Sequence, residues 1–220
     1  MKSVFTDLLS ESLQKCCHVL DDWIKVTDAV MDREIKAVHA LDAFEIGVRA
    51  FGLITQHDGL WKALEPHVLL LSSGARADAE YIPGQHDLKR DIELWEMKAG
   101  RLSVEFAFVC YERPEFNTSD NWDWIKECQE YGLKINDCND LLSDRFEDLI
   151  QPRRNWVVMK TGDSTLVKWR DNVGMLKHAA IEVLNEIELL PPPDARLSLA
   201  YNEHMAAMDR MTEKYIKERV

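Results

Sequence analysis

Glu127, Glu130, Asp137 and Asp140 are the side chains of this sequence whose types and spacing come nearest to a reaction centre. Glu127 and Glu130 make an E-x-x-E step, and Asp137, Asp140 and Asp144 follow at steps of three and four. On helices these steps bring carboxylates onto one face. Carboxylates so arranged can hold Mg²⁺, a hard cation that takes oxygen ligands and stabilises phosphate transfer. The chemistry in question would be that of a Mg-dependent phosphohydrolase or nuclease. The plainer reading makes Asp137, Asp140 and Asp144 an acidic helix face turned to water, with Leu141, Leu142 and Phe146 on apolar surface elsewhere on the helix. The plainer reading prevails, so no catalytic residue and no cofactor is assigned, and Mg is kept as the alternative.

Other candidate centres are weaker. Glu96-Met97-Lys98 has the E-x-K order of a nuclease core, but that core needs a strand and the surrounding pattern is helical. His178, Glu182 and Glu186 form a column on one helix face, without a second set of ligands to meet it. Cys16, Cys17 and His18 point in different directions on a helix and cannot converge on one ion. Five cysteines without C-x-x-C pairing suit reduced, buried thiols. No phosphate-binding glycine loop, nucleophile elbow or H-E-x-x-H is present.

Charge is unevenly spread along the 220 residues, whose formal net charge is −12. Residues 1–150 carry 29 acidic and 16 basic side chains, whereas residues 151–220 carry 10 and 11. An acidic body of this kind favours steered contact with a basic protein and disfavours a general nucleic-acid role, which needs clustered cations. A second alternative does involve nucleic acid. Trp156, Lys160, Lys168, Trp169 and Arg170 could stack on unpaired bases and hold phosphates, although two tryptophans on one face more simply pack inward.

These residues need elements to position them. Phe5, Leu9, Leu13, Cys16, Leu20 and Trp23 recur at helical steps, as do Val30, Ile35, Val38, Leu41, Phe44, Val48 and Phe51. Asp58 is a candidate N-cap for the next helix, which Pro66 should kink or divide, and residues 73–86 read as a loop. Asp87 can cap a helix that Gly100 would end. Leu102, Val104, Phe106, Phe108 and Cys110 alternate with other residues at the period of a strand. Helices are expected over about 120–131 and 137–150. The run 155–170 reads as a hairpin turning at Gly162-Asp163 and pairing Trp156 with Trp169. A helix from Asp171 should stop at Pro191-Pro192-Pro193, and Asp194 can cap a last helix.

The expected fold is therefore mainly α (α+β): a helical domain with a small antiparallel β-sheet, made of strand 102–110 and hairpin 155–170, and a C-terminal helix. Residues 1–190 would form the domain, and 191–220 a triple-proline linker with a docking or oligomerisation helix. Leu197, Tyr201, Met205, Met208, Met211 and Tyr215 are the expected partner-binding stripe, since flexible methionine suits adaptable contacts. The function expected is that of a non-enzymatic acidic interaction protein, an inhibitor, immunity-type protein or adaptor. It would bind a basic protein partner and form a homodimer through the C-terminal helix. Apolar runs are too short to span a bilayer and Asp7 interrupts any leader-like stretch, so the expected location is cytoplasmic, without membrane.

Overall fold

The computed structural model describes residues 5–31, 38–82, 85–142, 154–161 and 173–199, and beyond these 202, 203, 205, 206, 209, 210 and 213. Eight α-helices are described: α1 (Glu11–Met31), α2 (Val38–Ile54), α3 (Leu60–Ala79), α4 (Leu88–Glu96), α5 (Gly100–Glu112), α6 (Ser119–Leu142), α7 (Trp156–Thr161) and α8 (Val173–Glu186). Short 3₁₀ turns precede α1, join α4 to α5, precede α6 and follow the triple proline.

The amphipathic stripe of α1 does what its spacing requires. Phe5, Leu9, Leu13, Cys16 and Leu20 are all buried, and Trp23 packs edge-on against Phe51 of α2 at 5.7 Å. Phe51 meets Trp61 of α3 at 4.9 Å, so three helices share one aromatic chain. The core continues through Phe106 of α5, which touches Phe5 at 5.5 Å and Trp122 of α6 at 4.9 Å. A second apolar cluster joins Cys138, Leu141 and Leu142 of α6 to Val157 and Val158 of α7 and to Leu176 and Ala180 of α8.

The small β-sheet is overturned: no strand exists among the described residues. Residues 102–110 lie within α5. Their alternation misled because the intervening positions are buried too, with Val104 through Val109 all inside. A segment covered on every side carries no period to read. The hairpin 155–170 fails for a related reason. Its first arm is α7, in which Val157, Val158 and Met159 are buried together, and the amides of Val157 and Val158 donate to Asn155 Oδ1 at 3.0 and 3.3 Å. Asn155 is thus a helix N-cap. The rest of the expected hairpin lies outside the described residues.

Smaller boundaries also move. The helix after the break begins at Leu60, with Gly59 rather than Asp58 in the cap position at a left-handed φ of 72°, and it runs through Pro66 and into the expected loop as far as Ala79. The expected helices 120–131 and 137–150 are, as far as residue 142, one helix. Asp87 does cap α4, accepting the Arg90 amide at 2.8 Å. Gly74 lets α3 touch the α4–α5 junction, since a Cβ there would stand 2.5 Å from the Met97 carbonyl. After the prolines, Leu197 is fully buried in the same core as Phe5 and Phe106.

Candidate functional site

Among the described residues, the largest concentration of buried polar groups lies where α3, α4, α6 and the 154–161 segment converge. Asp137 sits one turn and a half before the end of α6 and points inward, with 5 % of its surface exposed. Its Oδ2 accepts the Trp95 indole N–H at 2.7 Å and the Trp156 amide at 2.6 Å. Its backbone carbonyl accepts the Asn155 side-chain amide at 2.9 Å. Burial pushes the Asp137 carboxyl up from 3.8 to about 7. The charge of Lys98 and the two N–H donors oppose that rise without cancelling it.

Arg154 enters the same junction and is 2 % exposed. Its Nε donates to Asp91 Oδ1 at 3.1 Å, a guanidinium nitrogen donates to the Ala77 carbonyl at 2.6 Å, and Asp78 lies 3.8 Å away. The guanidinium stands over the Tyr81 ring at 4.5 Å. Lys98 Nζ completes the set, 2.9 Å from Asp78 and 3.4 Å from the Arg154 carbonyl. These charges are matched to one another, as buried charges must be. The junction clamps α7 onto the body, and among the described residues it holds no nucleophile beside a free base.

A second feature is a groove of about 340 Å³ between α3, α5 and the start of α6, lined among others by His67, Cys110, Tyr111 and Trp122. The His67 ring lies flat on Trp122, with centroids 4.7 Å apart and planes within 5°. Burial lowers the His67 pKa and pushes the Cys110 thiol up to about 12. A thiol held protonated is a poor nucleophile, so the groove lacks an activated Cys–His pair. Tyr111 and Trp122 spend their donors on the Asp58 carbonyl and on Asn117, at 2.7 and 2.8 Å.

The residues singled out from sequence are dispersed. Asp137 faces the interior while Asp140 is exposed, so the acidic face does not form as one surface, and Asp144 lies outside the described residues. Glu127 is exposed, and Glu130 is half-buried 3.9 Å from Lys134. Among the described residues no three His, Cys, Asp or Glu side chains are grouped to hold a metal ion. Trp156 is half-buried against Trp95 at 5.0 Å, and the ammonium groups of Lys134 and Lys160 stand over it at 4.8 and 4.9 Å. Lys168, Trp169 and Arg170 lie outside the described residues. Leu197 is buried and Met205 packs against the core, whereas Tyr201, Met208, Met211 and Tyr215 are not described. All five cysteines are free thiols.

Comparison with protein-family models, with curated proteins and with solved structures finds no match to this chain. Sequence reasoning missed Arg154, Asn155 and Trp95 as partners. The available signal was Asn155 standing directly before the apolar run Trp156-Val157-Val158-Met159, the place of an N-cap. No helix among the described residues is long and apolar enough to cross a membrane.

Exposed charge has its own geography. Helices α6 and α8 run antiparallel: Trp124 donates its indole N–H to the Leu190 carbonyl at 3.0 Å at one end, and Cys138 and Leu141 pack with Leu176 and Ala180 at the other. Asp123 and Glu127 of α6, with Glu186 at the end of α8 and Glu188 just beyond it, are exposed around the first of these ends. None of the four has an ion pair among the described residues.

Proposed function

We propose that this is a non-enzymatic interaction protein, of the inhibitor, immunity-type or adaptor kind, that offers an acidic surface to a basic protein. The observation that carries the reading is a contrast in how carboxylates are used. Asp78, Asp91 and Asp137 are consumed inside the fold by Arg154, Lys98, Trp95 and Trp156. Asp123, Glu127, Glu186 and Glu188 stay exposed at one end of the α6–α8 pair. Such a patch raises the encounter rate with a cationic surface and selects against anionic ones. A reducing, cytoplasmic setting suits the five free thiols, four of them buried.

Fluorescence anisotropy with a labelled lysine-rich peptide tests the reading. The wild type should bind it at low salt, and D123K/E127K/E186K/E188K should lose that binding. A control that reverses four other exposed carboxylates, Asp7, Glu11, Asp22 and Glu65, should keep most of it. Equal loss in the two variants would reduce the effect to net charge and overturn the reading.

A further inference from the structure

Helix α2 presents its bulky stripe outward. Its inner side is built from Ala43, Gly47, Ala50 and Ile54, all buried, and Gly47 lies so close to Trp23 that a Cβ would stand 2.7 Å from the indole nitrogen. On the other side Leu41 is 67 % exposed, Phe44 70 % and Val48 57 %. Single exposed apolar residues are ordinary. Three large ones at i, i+3 and i+7 form the seam that a second helix covers.

Two further observations say what covers it. Gly52 is exposed at the end of the stripe, with no heavy atom within 4 Å of where its Cβ would be. Glycine inside a helix is costly, and among the described residues nothing requires it there. A helix approaching from outside would. Glu45 and Arg49 flank the seam, are exposed, and have no ion-pair partner among the described residues. Their order is self-complementary under one arrangement only. A second α2 laid antiparallel, about a two-fold axis near Ile46 and Gly47, sets Glu45 opposite the partner's Arg49 and Arg49 opposite the partner's Glu45. The same axis sets Phe44 against the partner's Val48, and Leu41 against the partner's Gly52. A parallel two-fold arrangement would put the Glu45/Arg49 flanks of the two copies on opposite sides of the seam and pair neither charge. An isologous contact of this kind closes at two copies.

We infer that the exposed face of α2 is a homodimer interface, occupied by α2 of a second copy of this chain in antiparallel register. The interface uses none of the acidic residues of α6 and α8 that carry the proposed partner contact.

Sedimentation velocity on the full chain, from about 1 to 100 μM, reads the outcome. The wild type should pass from monomer to dimer within that range, and F44E should stay monomeric with an unchanged melting temperature. E45R and R49E should each weaken the dimer by about tenfold, and E45R/R49E should restore it. A wild type that is monomeric throughout would overturn the interface. So would a dimer indifferent to F44E. A dimer lost in F44E but not restored by the double charge exchange would overturn the antiparallel register. All these positions are exposed, so the variants keep the fold.

Discussion

The Asp137 carboxylate accepts the Trp95 indole N–H at 2.7 Å, joining α6 to α4 across 42 positions of sequence. Because this carboxyl is buried and rises from 3.8 to about 7, it makes stability depend on pH. Between about pH 4 and 7 the unfolded chain has released the proton while the folded chain keeps it. The group's contribution to stability is therefore greatest below about pH 4, declines as pH rises to about 7, and is flat above. The rise from 3.8 bounds the total change at about 4 kcal/mol. Urea unfolding of the wild type and of D137N, compared from pH 4.5 to 8, should give a difference that falls with pH and then levels. A flat difference would show that Asp137 titrates as an ordinary carboxyl.

Arg154 is buried among Asp91, Asp78 and the Ala77 carbonyl. Truncating one partner of such a set leaves charge unpaired in a poor solvent for it. R154M should cost about 3–5 kcal/mol. Neutralising the acids as well, in D78N/D91N/R154M, should recover part of that loss. If the triple variant were less stable than R154M, the charges would not be acting on one another.

At Gly74 the backbone of the α4–α5 junction occupies the space of a side chain, with the Met97 carbonyl carbon and oxygen 2.5 Å from an added Cβ. Since backbone cannot swing aside, G74A should destabilise by about 1–3 kcal/mol. The same substitution at Gly52, where nothing lies within 4 Å, should stabilise the isolated subunit by about 0.5–1 kcal/mol. Melting of both variants, with G52A measured at a concentration where the wild type is monomeric, tests the contrast. Equal effects would refute it.

Asn139 is 3 % exposed, and among the described residues neither end of its amide has a hydrogen-bond partner. An unsatisfied buried amide costs about 1–3 kcal/mol, and an apolar group of similar shape avoids that cost. N139L should therefore raise the urea midpoint, by about 1–2 kcal/mol in stability. A lower midpoint would mean that the amide is satisfied in solution.

Helices with one wet face were legible in the sequence. The Phe5–Leu20 stripe marked α1, and Asp87 marked the start of α4. The stripe of α2 marked a helix too, but Leu41, Phe44 and Val48 turn outward while Ala43, Gly47 and Ala50 face in. Hydrophobic spacing reports that a face exists and not which neighbour meets it. Residues 104–109 and 157–159 were illegible for the opposite reason, because burial all round removes the contrast on which periodicity depends. The polar junction was hidden by distance. Asp137 has the spacing of a solvent-facing carboxylate, and only the arrival of Trp95 and Trp156 turns it inward. Arg154 reads as part of a basic segment until Asp91, 63 positions earlier, is brought beside it.

That separation has a consequence for the chain as it leaves the ribosome. Asp78, Asp91 and Asp137 emerge well before Arg154 and the Trp156 amide that neutralise and cap them, and Trp124 emerges 66 positions before the Leu190 carbonyl that accepts its indole N–H. A nascent chain halted near residue 150 would hold three carboxylates destined for the interior with neither Arg154 nor the Trp156 amide yet made, and water would keep that junction open. Native structure around α3, α4 and α6 should thus appear late in synthesis, after residue 161 has cleared the exit tunnel.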